Sequence, residues 1–390
     1  MRPTTTLDLT DPDVVADPYP HLAVERARHP VAWHEATQRW LTFDHPSAAA
    51  VQRDRRLGRL WSDREPAAYL EPFNLLHRNQ MMENEPPAHT RLRRPVAAAF
   101  NRGHVERLRP RVRSIAAGLL DAVDPAGFDV VAEYAEPLPV LVIAELLGVP
   151  DDRVTSLRDW SQAIVRMYEP APSSGVVAAA VSAADDFAAY VRALVAERRE
   201  RPTDDLVSDL AVRPADEPGG LSDDEIVASV VLLLNAGHEA SVNVLGNGLV
   251  AMLRAGARPA ADAVPLAVEE MLRFDSALQL FERTATEAVE VGGVTVAPGE
   301  RIAALLGAAN RDPAVFGDAD TFVVDRDPNP HLAFGVGVHF CLGAPLARME
   351  LAESLTALLD RFPRLRPAGD PVSRGTFVLR GHRAVPVSGV

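Results

Sequence analysis

Apolar residues recur at three- and four-residue spacing along most of the chain, which predicts a helix-rich fold. The pattern marks helices over 103–123, 175–202 and Pro345–Leu359. The most legible helix begins at Ser222, where Ser-Asp-Asp-Glu reads as a capping box: the serine accepts from the third backbone N–H while Glu225 reaches back. No proline interrupts the pattern from there to Arg254, on the order of 45 Å of helix at about 1.5 Å per residue. Its middle is apolar on every side, which predicts burial all round. Yet that middle also holds the run Asn235 to Asn243, with Gly237, His238 and Glu239 inside it. Glycine costs up to ~1 kcal/mol against alanine in a helix interior, and a histidine and a carboxylate are costly to bury. Either a site or a locally solvated turn accounts for this. Strand patterns are short and few, at 31–43, 289–299 and 376–387. With no repeats, no low-complexity tract and no long linker, the expectation is one domain over 1–390, mainly α with small β-sheets. Residues 1–15 read as a loose extension.

The formal charge of −14 argues against nucleic acid as the main partner, and all 40 basic residues are arginine. The N-terminus lacks the apolar core of a signal peptide. The longest apolar run, Ile226–Leu234, is far short of the roughly 18–20 residues that span a membrane. A cytoplasmic protein without a membrane partner is expected.

A single cysteine, Cys341, rules out a disulfide framework or a multi-cysteine zinc site. It follows Gly335 and Gly337 and precedes Gly343 and Pro345, the last suited to a first helical turn. As a small buried hydrophobe it would be ordinary. Just ahead of a helix N-terminus, however, N–H groups and the macrodipole favour a thiolate. A phosphate loop is disfavoured, because no Gly-Lys-Ser/Thr follows. A copper site from His331, His339, Cys341 and Met349 would belong on a β-sandwich. A haem whose iron takes the thiolate explains the glycines, since a flat porphyrin needs backbone close by.

Phe-Gly-Val-Gly-Val-His-Phe-Cys-Leu-Gly, residues 334–343, resembles the haem-binding loop of the cytochrome P-450 superfamily at every fixed position. The resemblance runs from about residue 16 to the C-terminus. It implies the cytochrome P-450 fold, with haem b between a long distal helix and the cysteine loop, Cys341 as axial ligand, and Phe334, Gly335 and Gly343 of that loop binding the haem. Glu270 and Arg273 resemble the family's Glu-x-x-Arg pair, completed by Arg326. His89, Arg93, Arg283 and His339 resemble the cations that hold the haem propionates. The implied activity is a monooxygenase that hydroxylates a secondary-metabolite substrate. Oxidative coupling or cyclisation without oxygen insertion is the alternative, and a non-catalytic haem sensor a weaker one.

The distal helix departs from the family at Ala240, where a threonine alcohol is usual, with Glu239 before it and Ser241 after it. A substrate hydroxyl, Ser241 with water, or a reaction without second proton delivery could compensate. Ser241 lies ~100° further round the helix and is expected to point away. Asn235 stands where an apolar residue is usual and shares a face with Leu232 at i, i+3. Leu232, Asn235, Ala236, Met167, Leu278 and Phe377 are the implied substrate contacts, Met167 coming from the 164–174 loop. Electrons are expected from NAD(P)H through ferredoxin reductase and ferredoxin. The run Arg91–Arg113, eight arginines against Glu106, is the expected ferredoxin face. The substrate is a small molecule, free or carrier-bound.

Overall fold

The computed structural model describes residues 2–169 and 172–390; Pro170 and Ala171, inside the 164–174 loop, lie outside the described residues. Six helices carry the functional argument. They are α1 (Ala88–Ala97), α2 (Arg102–Ala122), α3 (Ser174–Glu200), α4 (Asp223–Arg254), α5 (Val264–Phe274) and α6 (Ala344–Arg361). The capping box forms as read: Ser222 N donates to Glu225 Oε2 at 2.9 Å, and Glu225 N donates to Ser222 Oγ at 3.3 Å. α4 continues through Gly237 without a break. A Cβ there would sit 3.0 Å from the Ile143 side chain, so glycine serves close packing. α3 and α4 are both long and apolar enough to cross a membrane by length and composition, but 78% of that α4 window is buried inside the structure.

The chain folds as two compact units. The first comprises Met1–Gly58, Ala116–Ala135 and Ala240–Val390; the second comprises Arg59–Ile115 and Glu136–Glu239. In the first, six strands form one sheet: β1 (Thr4–Thr5), β2 (Val31–His34), β3 (Arg39–Thr42), β4 (Leu57–Gly58), β5 (Leu280–Ala285) and β6 (Arg301–Leu305). Their spatial order is β1-β2-β3-β6-β5-β4. The period-two alternation of strands sends Ile302 and Ala304 into one core cluster and Ala303 and Leu305 into another. β6 is thereby buried on both faces and fixes β5, with Arg283 opposite Ile302.

Two expectations need correction here. Of the first fifteen, residues 2–15 are not loose: β1 pairs in parallel with β2, and Leu9, Val14 and Val15 enter the core. Tertiary pairing supplies what the local pattern lacked. Residues 376–387 do not form one strand; strands occur only at His382–Ala384 and Pro386–Ser388, after a turn. In the second unit, α3 packs against the helices Ala67–Arg78 and Val154–Val165. Arg198 ties α3 down through Asp205 and the Gly148 carbonyl, both at 2.7 Å.

Candidate active site

Cys341 lies two residues before Gly343, the N-cap of α6, with Pro345 in the first turn. Its thiol is exposed, and so is the neighbouring Phe340. The loop behind it is held rigidly. Cys341 N donates to Phe334 O at 2.9 Å, and Val336 N donates to Gln52 Oε1 at 2.9 Å. Gly335 and Gly337 have φ of 66° and 81°, a region that L side chains avoid. A Cβ on Gly337 would fall 2.4 Å from the Gln52 backbone oxygen, so the loop can take this path only with glycine there. Arg348 of α6 lies over the Phe334 ring at 4.5 Å and reaches Glu269 through Nε at 2.6 Å and its second nitrogen at 2.8 Å. Glu269 Oε2 also meets His331 Nε2 at 3.0 Å. Burial works to raise the Glu269 pKa, but Arg348 and His331 hold it down at about 2.

One residue on, Glu270 and Arg273 of α5 are fully buried and paired through two contacts of 2.7 Å. Arg326 Nε donates to Glu270 at 3.0 Å, and Val323 N donates to the same carboxylate at 2.8 Å. Arg273 directs its remaining hydrogens to the carbonyls of Asn310 and Ala319, both at 2.8 Å, and of Thr321 at 3.2 Å. The expected triad is therefore assembled, its charges matched as burial requires. Asn310 Oδ1 in turn accepts from Leu332 N at 2.7 Å, which connects this network to the start of the cysteine loop.

Of the four expected cations, Arg283 and His339 lie in the first unit; Arg283 is buried on β5, its guanidinium 4.6 Å from the Phe281 ring centroid. His89 and Arg93 lie in the second unit, one turn apart on α1, with His89 buried. On α4, Glu239 is buried, and His238 Nε2 lies 3.3 Å from its Oε1. The helix is not buried all round as expected. Ala236 is exposed and Ala240 partly so, on the same face as Leu232 at four-residue spacing. Asn235 is 6% exposed, and its Oδ1 has no protein partner.

Ser241 is turned towards α6. Its hydroxyl bonds Glu350 of α6, a buried carboxyl that burial pushes up to about 8 while Ser241 pulls it partly back. Sequence reading missed Glu350. The available signal was a carboxylate at a core-facing position of α6, four residues after Leu346 and four before Ser354. One implied substrate contact is corrected: Phe377 is 2% exposed and packs in the core cluster with Leu41 and Phe43. Met167, like Leu232 and Asn235, is buried. Leu278 is partly buried and bridges to Leu379. The copper alternative fails because His331 is engaged by Glu269 and Met349 is buried; among the described residues no group of three His, Cys, Asp or Glu could hold a metal ion.

Within the first unit, a single exposed thiol donor, glycine-lined backbone behind it and the cations Arg283 and His339 suit a haem. A family model for cytochrome P450 matches residues 262–376. The chain is 37% identical to the cytochrome P450 monooxygenase PikC of Streptomyces venezuelae, over 99% of this chain and 94% of that protein. It is 39% identical to 6-deoxyerythronolide B hydroxylase of Saccharopolyspora erythraea, over 89% of each. The solved structure of P450BioI, in complex with an acyl carrier protein carrying hexadec-9Z-enoic acid, superposes with a TM-score of 0.92 at 31% identity, covering 97% of this chain and 100% of that one. The chain belongs to the bacterial cytochrome P450 superfamily and is a haem-dependent monooxygenase.

Proposed function

We propose that this monooxygenase hydroxylates a secondary-metabolite substrate, with Cys341 as the axial ligand of haem b. The observation that carries the reading is the uncovered Cys341 sulfur at the head of α6, backed by the Glu269–Arg348 and Glu270–Arg273–Arg326 pairs. A haem held by a thiolate supplies dioxygen activation when bound. His89, Arg93, Arg283 and His339 would hold its propionates, since cations and carboxylates form strong charge-assisted bonds. Phe334, Gly335 and Gly343 of the cysteine loop would lie against the haem.

Ala240 brings no hydroxyl to the distal helix. Glu239 would carry proton traffic there, and Glu350, which burial pushes up to about 8, would hold a proton at the Ser241 oxygen. A substrate hydroxyl completes the set. Leu232, Asn235 and Ala236 would meet the substrate, with Asn235 Oδ1 accepting from a substrate donor. A carrier-linked acid is one candidate form of that substrate, an idea supported by the likeness to P450BioI.

Electrons come from NAD(P)H through a ferredoxin reductase and a ferredoxin. The ferredoxin docks on the Arg91–Arg113 segment, where Arg94 and Arg102 are exposed while Arg91, Arg109 and Arg111 pair with Glu225, Glu106 and Glu145. The chain acts as a single cytochrome P450 domain in the cytoplasm. Turnover with a ferredoxin system under isotopically labelled dioxygen tests the reading. A product carrying one labelled oxygen supports it; a cyclised or coupled product without label contradicts it.

A further inference from the structure

The C-terminal half of α4 carries two buried amides that the proposed reaction leaves unused. Asn243 is 1% exposed, and neither its Nδ2 nor its Oδ1 has a protein partner. Asn247, one turn on and equally buried, donates through Nδ2 to the carbonyls of Asp275 and Arg380, both at 3.1 Å, and leaves its Oδ1 unmatched. The chain passes both amides at Arg380–His382. A Cβ on Gly381 would fall 2.0 Å from Asn243 Oδ1, so the backbone runs directly against that amide. His382, the next residue, has a buried Nδ1 without a protein partner, and burial lowers its pKa and favours the neutral ring.

One amide donor, two carbonyl acceptors and an imidazole nitrogen are thus gathered about one loop, all buried and unmatched. Buried polar groups almost always find partners. Water is the ligand that both donates and accepts, and internal waters typically make about three hydrogen bonds to groups of this kind.

We propose that Asn243, Asn247 and His382 bind internal water, and that this site feeds solvent to the α4 turn that begins at Ala240. Asn243 follows Ala240 by three residues, so the two are neighbours on the helix surface. A polar route leads outward from the site. Arg380 Nε and the Tyr19 hydroxyl each donate to Asp275 at 2.7 Å, and the Arg380 and Asp275 side chains reach the surface. The feeding role rests on the reading that Ala240 leaves proton delivery to other groups; the water site stands on the unmatched amides alone.

A high-resolution crystal structure of the haem-loaded protein tests the site. An ordered water within hydrogen-bond distance of the Asn243 amide, and of Asn247 Oδ1 or His382 Nδ1, is expected, and Asn243→Leu removes it. Density showing the Asn243 amide bonded only to protein groups overturns the site. The feeding role is read from hydrogen peroxide released per NADPH consumed. Asn243→Leu raises that ratio several-fold, with the substrate-induced shift of the haem absorbance unchanged. A ratio equal to the parent's in a variant that has lost the water overturns the feeding role. Should Asn243→Leu fail to fold, His382→Phe removes one wall of the site and is read by the same two measurements.

Discussion

Glu350 is a carboxyl that the fold keeps protonated, and the sign of its contribution to stability follows from that. Its folded pKa of about 8 lies above the ordinary 4.5. Between those values the native state binds more protons than the unfolded one, so stability falls as pH rises through the window. The slope approaches about 1.4 kcal/mol per pH unit for one proton. Glu350→Gln keeps a donor for Ser241 and removes the titration. Urea unfolding should show the variant gaining on the parent steadily from pH 5 to pH 8; parallel profiles would mean that Glu350 is ionised in the folded protein. Glu269 works in the opposite direction. Its depressed pKa adds stability above the unfolded value of about 4.5, and that stability is lost as pH falls towards about 2.

The cysteine loop shows what was legible at the level of elements. Its ten residues put Gly335 and Gly337 where φ is positive, Gly335 against the Gln52 side-chain oxygen and Gly337 against the Gln52 backbone. Gly337→Ala meets both the strained φ and the Gln52 oxygen, and should cost at least about 1–3 kcal/mol. Gly343→Ala has an ordinary φ of −79° and its nearest atom, the Cys341 sulfur, at 4.0 Å. Thermal unfolding should separate the two, with only Gly337→Ala strongly lowered; equal midpoints would contradict the packing argument. The long helices were readable because their apolar spacing and caps are local, as the Ser222–Glu225 box shows. Glu350 and the Ser241 bond were not, since they depend on which faces of α4 and α6 meet in the fold. Phe377 was misread for a related reason: an aromatic residue looks the same in a core as beside a substrate until its neighbours are known.

Across the whole molecule, charge is arranged against its own average. A chain of net −14 keeps an arginine-rich segment at 91–113, and exposed Arg94 and Arg102 lie within it. Long-range attraction of this sort falls steeply with ionic strength. Reduction by an acidic ferredoxin should slow several-fold between low and physiological salt, and Arg94→Glu should flatten that dependence. A salt-independent rate would place the docking face elsewhere. The chain's ends were the least legible part at this scale, because β1 gains its partner only when β2 is in place.

The central claim is that Cys341 binds the haem iron as a thiolate, and the absorbance of the reduced, carbon-monoxide-bound protein tests it most directly. The parent protein should show the long-wavelength Soret band of a thiolate-ligated haem, and Cys341→His should lose that band while retaining haem. A band in the parent at the position of an imidazole-ligated haem, or an unchanged band in Cys341→His, would contradict the assignment.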